Sequence, residues 1–113
     1  MRKATKQCMS KNSGYHLWKE AKTVIPGGGM LLSKRPENFL PELWPSYYSK
    51  CKGCFVWDLD GNKYLDMSIM GIGTNILGYG NEEVDNAVME AISKGNMSTF
   101  YCPEEVYLAK KLV

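Results

Sequence analysis

Apolar residues recur at helical spacing in three stretches of this chain and alternate at strand spacing in a fourth. In residues 13–25, Leu17, Trp18, Ala21, Val24 and Ile25 share one stripe at the 3.6-residue period, which predicts an amphipathic helix. Ser13 stands where an N-cap is expected, and "PGGG" at 26–29 supplies the stop. Between 30 and 50 no period holds. Pro36, Pro41 and Pro45 interrupt any long element, and the aromatic "LWPSYY" reads as an extended segment in which Trp44, Tyr47 and Tyr48 are core or interface residues, with Trp57 further on. "CFVWDL" sets Phe55, Trp57 and Leu59 on one face at period two. Asp60–Gly61 is a hairpin signal, and "NKYLDM" returns as the partner strand.

The second helical stretch has a complete grammar. Asn81 caps it, Glu82, Glu83 and Asp85 face the positive end of its dipole, and Lys94 faces the other end. Val84, Ala87, Val88, Ala91 and Ile92 form its buried stripe, and Gly95 suits the left-handed position that closes it. A last helix opens at Pro103, with Glu104 and Glu105 in its first turn and an apolar face through Val106, Leu108, Ala109, Leu112 and Val113. That face runs to the last residue without a cap, the pattern expected of an amino-terminal piece of a longer polypeptide.

"GIGTNILGYG", residues 71–80, resembles two phosphate loops and completes neither. A dinucleotide fingerprint needs a third glycine where Ile76 stands, and a P-loop needs lysine and a hydroxyl where Tyr79 and Gly80 stand. A winding turn whose glycines permit positive φ remains. "DLDGNKYLD" likewise fails as a calcium loop: glycine falls at the fourth place, Lys63 at the sixth and Ile69 at the twelfth.

Composition narrows the function classes. A chain of 113 residues with 44% apolar and 23% charged content is that of a globular domain, and a net charge of +2 gives no reason to expect a nucleic-acid partner. The basic start (Arg2, Lys3, Lys6, Lys11) lacks the apolar run of a secretory signal and reads as a frayed terminus, and no stretch is long and apolar enough to cross a membrane. "CKGC" is a lone pair, with Cys8 and Cys102 isolated and His16 reading as a surface residue. Free thiols in a reducing, cytoplasmic setting fit this better than zinc or redox chemistry.

In order, "VIPGG" (24–28), "KGCFVWDLDGNKYLDM" (52–67), "GIGTNILGYGNEEV" (71–84) and "STFYCPEEVYLAKKL" (98–112) resemble the beginning of the class III pyridoxal-phosphate-dependent aminotransferases, nearest the glutamate-1-semialdehyde 2,1-aminomutase-like members. The resemblance covers the chain from Lys19 onward. It departs at Tyr79, where histidine is common, at Cys51 and Cys54, where small residues are common and which therefore read as packing thiols, and at residues 68–70, a link one residue longer than usual.

The resemblance implies an α+β amino-terminal segment (helix, β-hairpin, two helices) of a fold-type I transferase, with the large α/β domain mostly absent. Its divisions are a flexible terminus (1–12), a small region (13–70), and the glycine loop with the first helices of the large domain (71–113). It implies a homodimer when full length, a small-molecule amino donor and acceptor of amino-acid or amino-sugar type, and pyridoxal 5′-phosphate bound by the full-length protein. The glycine loop lines the substrate entrance, so Gly71, Ile72 and Gly73 are candidate wall residues. Lys34 and Arg35 are candidates for a substrate carboxylate, arginine being the better bidentate donor. The activity it implies is that of an aminotransferase or aminomutase; Ile72 is aliphatic where the aminomutase carries an aromatic residue nearby, which leaves a general transaminase in play beside the strict aminomutase. The resemblance also implies that the cofactor-bearing lysine lies beyond Val113; Lys19, Lys22, Lys94, Lys110 and Lys111 fall on solvated helix faces and Lys63 in the hairpin, so this piece is expected to be inactive alone. The alternatives are an inactive truncated paralogue serving as a dimerisation or binding module, and a small thiol metal-binding domain.

Overall fold

The computed structural model describes residues 12–68 and 70–113. The basic terminus with Cys8, and Ile69, lie outside them. The described chain is a small α+β arrangement of three helices and one three-stranded antiparallel sheet, divided into two units at Gly80/Asn81.

In the first unit, helix α1 runs Ser13–Val24. Its cap corrects the expectation from sequence. The N-cap residue is Asn12, left-handed at φ 46° and without a side-chain cap bond. Ser13 is instead the first helical residue, and both its backbone N–H and its hydroxyl donate to the Asp60 carboxylate, at 3.0 and 2.5 Å. An acid from the distant hairpin therefore satisfies an orphan donor of the helix start and places negative charge at the positive dipole end. Of the expected stripe, Trp18 and Ala21 are buried, whereas Leu17, Val24 and Ile25 are exposed. Gly14 is buried against the Pro45 carbonyl, which a Cβ there would overlap.

Residues 30–47 hold two 3₁₀ turns, Leu32–Lys34 and Pro36–Asn38, and Trp44 stacks on Phe39 at 4.3 Å. Neither Trp44 nor Tyr48 is a core residue; both are exposed, and Tyr47 and Trp57 are half-buried. Tyr48 begins a strand that the hydrophobic pattern does not announce, β1 (Tyr48–Lys52), which pairs with β2 (Phe55–Asp58); β2 pairs in turn with β3 (Lys63–Leu65). β1 is an edge strand with a register shift between Tyr48 and Lys50 and a largely exposed "YSKCK" sequence, so no alternation marks it. "CKGC" is the β1–β2 hairpin: Lys52 pairs with Phe55, and Gly53, at φ 58°, takes the first loop position, where such turns need glycine. Leu59 leaves the strand and enters the next turn. There Gly61 sits at φ 85°, and the Asp58 N–H to Asn62 carbonyl bond closes a three-residue loop.

The register puts Lys50, Trp57 and Lys63 side by side, with the two ammonium groups 4.7 and 5.3 Å from the Trp57 ring. The opposite face carries Cys51, Val56, Asp58 and Tyr64.

The second unit contains α2 (Glu82–Ser93) and α3 (Pro103–Leu112). The Asn81 cap forms as expected, accepting from the Val84 N–H at 3.1 Å. Gly95 closes α2 at φ 87°, and Lys94 pairs with Glu90 at 2.8 Å. The expected buried stripe is not buried: Val84, Val88 and Ile92 are each about half exposed, and neither helix has a buried residue. Periodicity specifies which face is apolar; burial also requires something packed over it.

Candidate functional site

The helix stop builds the first candidate region. Pro26 ends α1, and Gly27 and Gly28 follow at φ 75° and 78°. Each makes room for a specific side chain. A Cβ on Gly28 would fall 2.7 Å from the Trp18 indole, so the outer edge of the ring packs directly against that backbone. A Cβ on Gly27 would collide with the Arg35 guanidinium. Trp18 donates its indole N–H to Glu37 at 2.9 Å, and Lys22 reaches the same oxygen at 3.1 Å. The indole bond first, then the Glu37 backbone N–H and Lys22, pull the Glu37 carboxyl down to about 2.

Arg35 lies against Gly27. It is half-buried, and its Nε is fully shielded from solvent without a hydrogen-bond acceptor. A buried guanidinium donor without a partner is uncommon and suited to a carboxylate or phosphate. Lys34, its neighbour, is exposed.

The hairpin supplies a polar node instead of a catalytic one. Asp58 is 7% exposed. Its Oδ1 accepts the backbone N–H groups of Asp60 and Asn62 at 2.9 and 2.8 Å, and its Oδ2 accepts the Asn62 amide and the Tyr64 hydroxyl, both at 2.9 Å. Burial alone would raise its pKa; the bonds from Asn62, Tyr64 and Asp60 outweigh it and hold the group below the ordinary aspartate value. Burial, and then the Asp58 carboxylate, push Tyr64 up. With Asp60 tied to Ser13, the acids of "WDLDG" are committed to folding the hairpin and capping α1.

The glycine loop hangs from the same sheet. Asp66, just past β3, donates its N–H to the Cys54 carbonyl at 2.9 Å, while its carboxylate accepts from Ser68 and, at 2.6 Å, from the Tyr79 hydroxyl. Tyr79 exchanges both backbone bonds with Gly53 at 2.8 Å. The bond to Asp66, followed by burial, pushes Tyr79 up to about 12. At the far end of the loop Met70, Gly71, Ile72 and Gly73 are successively left-handed, at φ 40°, 73°, 60° and 76°. For a β-branched residue such as Ile72 this costs roughly 1–2 kcal/mol. Its side chain is 80% exposed. Thr74 and Asn75 turn inward, donating to the carbonyls of Gly71 and Met70 at 2.8 and 3.2 Å.

Sequence reasoning thus named Lys34, Arg35, Gly71, Ile72 and Gly73 but missed Asp66, Tyr79 and Gly27. The signal for the latter group lay in their partners: Tyr79 differs from the family's usual histidine, and Gly27 is glycine because Arg35 occupies the space a side chain would take.

Cys51, Cys54 and Cys102 are free thiols. Cys54 is exposed and so is not a packing thiol, whereas Cys51 is half-buried. Burial first, then the Asp66 charge, push the Cys51 thiol up, which disfavours the thiolate that a metal or redox site needs. Among the described residues no cluster of three or more His, Cys, Asp or Glu side chains is arranged to hold a metal ion, and no helix is long and apolar enough to cross a membrane. All the described lysines (19, 22, 34, 50, 52, 63, 94, 110 and 111) are exposed.

Residues 41–112 match the family Aminotransferase class-III. A 3-aminobutyryl-CoA aminotransferase from Cloacimonas acidaminovorans is 38% identical over 97 residues, covering 85% of this chain and 23% of that protein. Glutamate-1-semialdehyde 2,1-aminomutases from Methanocaldococcus jannaschii and Methanothrix thermoacetophila are 35% and 33% identical, over 86% and 93% of this chain and 21% and 23% of those proteins. The chain therefore spans about a quarter of the length of the curated relatives it matches.

Proposed function

This chain belongs to the class-III aminotransferases, and we propose that it forms the substrate-facing amino-terminal part of a pyridoxal-phosphate-dependent aminotransferase or aminomutase of fold type I. In this reading the enzyme is a cytoplasmic homodimer that moves an amino group on an amino-acid or amino-sugar type compound. The Schiff-base lysine is not one of the described lysines, because all of them are solvated, and the chain alone is inactive. The described residues do not fit as the cofactor's holder.

The role of this part is recognition. Arg35, packed against Gly27 with its Nε unpaired, meets the carboxylate of the substrate; the left-handed turn of Gly71, Ile72 and Gly73 forms a further wall of the substrate path, and Lys34 contributes long-range positive charge only. The observation that carries the reading is the shielded, partnerless Arg35 Nε. A hydrogen bond to a charged group contributes about 1.5–3 kcal/mol, so Arg35→Ala in the cofactor-bound full-length enzyme is expected to raise KM about 10- to 100-fold, with Arg35→Lys between. An unchanged KM in Arg35→Ala removes Arg35 from the site. The expectation about lysines has its own check. Incubating the 113-residue chain with pyridoxal phosphate and borohydride should leave no stoichiometric pyridoxyl adduct, and a single modified lysine would contradict it.

A further inference from the structure

Resting on the reading that the glycine loop borders the substrate path, we propose that Asp66 and Tyr79 form a clamp at the base of that loop, which makes Tyr79 a positioning residue for substrate binding. Residues 67–68 and 70–78 lie between two feet, Asp66 just past β3 and Tyr79, and both feet stand on one turn. The Asp66 N–H is bonded to the Cys54 carbonyl, and Tyr79 is bridged through its N–H and its carbonyl to Gly53. The Tyr79 hydroxyl then ties foot to foot at 2.6 Å on Asp66 Oδ2, while Ser68 occupies Oδ1 through its N–H and hydroxyl.

Close packing at the base depends on Gly78, where a Cβ would stand 3.2 Å from the Gly53 Cα and carbonyl oxygen. The loop is thus a closed Ω-type excursion whose apex is a run of left-handed residues. Such a run persists only when its surroundings over-determine it. Here those surroundings are the internal bonds from Thr74 and Asn75 and the closed base. Opening the base frees the apex to relax, and Ile72 moves with it. The hydroxyl of Tyr79 does not itself meet substrate; it acts through the loop.

The test is Tyr79→Phe, which removes only the hydroxyl, beside Asp66→Asn, which keeps an acceptor for it. Amide hydrogen exchange is read on the intact chain, and KM and kcat on the cofactor-bound enzyme. Tyr79→Phe is expected to speed exchange of the 70–78 amides about tenfold, the size of one net hydrogen bond, while the α1 and β2 amides keep their rates. KM should rise by a similar factor with kcat nearly unchanged, and Asp66→Asn should show a smaller effect on both. Unchanged loop exchange, or an equal rise across α1 and β2, overturns the clamp, the latter because it marks a general stability contact. Faster loop exchange with an unchanged KM overturns the positioning role. If Arg35→Ala still raises KM in that case, the placement of the loop on the substrate path has failed while the arginine reading stands.

Discussion

Replacing Asp58 tests whether the hairpin acids are structural. The side chain is buried and accepts four hydrogen bonds from Asp60, Asn62 and Tyr64. Asp58→Ala leaves two backbone N–H groups, an amide and a phenol without their acceptor. Each bond to a carboxylate contributes about 1.5–3 kcal/mol. The contributions do not add, because the loop at 59–62 is open enough for water to replace some of them, so a total loss of about 3 kcal/mol is expected. Asp58→Asn keeps one carbonyl oxygen for the two backbone donors. On the other side the Asn62 amide must flip and the Tyr64 hydroxyl must turn to accept, at a cost of about 1–2 kcal/mol. The charge adds a pH signature. The folded-state pKa of Asp58 is depressed, so its contribution is complete above the unfolded value of about 3.9 and is lost as pH falls through the folded value. Urea unfolding at a series of acidic pH values should therefore show a steeper decline in the native chain than in Asp58→Asn. A loss below about 1 kcal/mol in Asp58→Ala, or identical acid limbs in native and Asn chains, would refute the assignment of this acid to the fold.

Gly14→Ala should reverse the usual sign of a helical glycine replacement. The propensity gain of about 1 kcal/mol is outweighed by overlap with the Pro45 carbonyl, whose carbon would lie 2.9 Å from the new methyl, for a net loss of about 1–2 kcal/mol in denaturant melts. Ile72→Gly relieves the left-handed strain but loosens the unfolded chain, so the unfolding midpoint should rise by the equivalent of about 0.5–1 kcal/mol, and Ile72→Val should bring no gain. Asn81→Ala removes the cap on Val84 N–H and should cost about 1 kcal/mol, read as reduced helicity by far-UV circular dichroism; unchanged helicity would mean that the cap is dispensable.

Local chemistry determined a good deal of this protein. The three helices, the Asn81 and Pro103 starts, the Gly95 stop and the Asp60–Gly61 turn were legible because each depends on φ preferences, dipoles and side chains within a few residues. The family was legible too, from four motifs in order, and the match over residues 41–112 bears it out. Tertiary structure decided what those residues do for one another. β1 exists because β2 offers it a hydrogen-bonding edge, not because "YSKCK" alternates. Ser13 is not a cap, because an acid 47 residues away caps it. Gly27 and Gly28 are vacancies for Arg35 and Trp18, and the loop whose sequence resembled a phosphate cradle is closed by Asp66 and Tyr79. The reason is the same in each case: hydrogen-bond acceptors and packing volume are supplied by whichever residue the fold brings near, and that information is not carried in the spacing of a single stretch of chain.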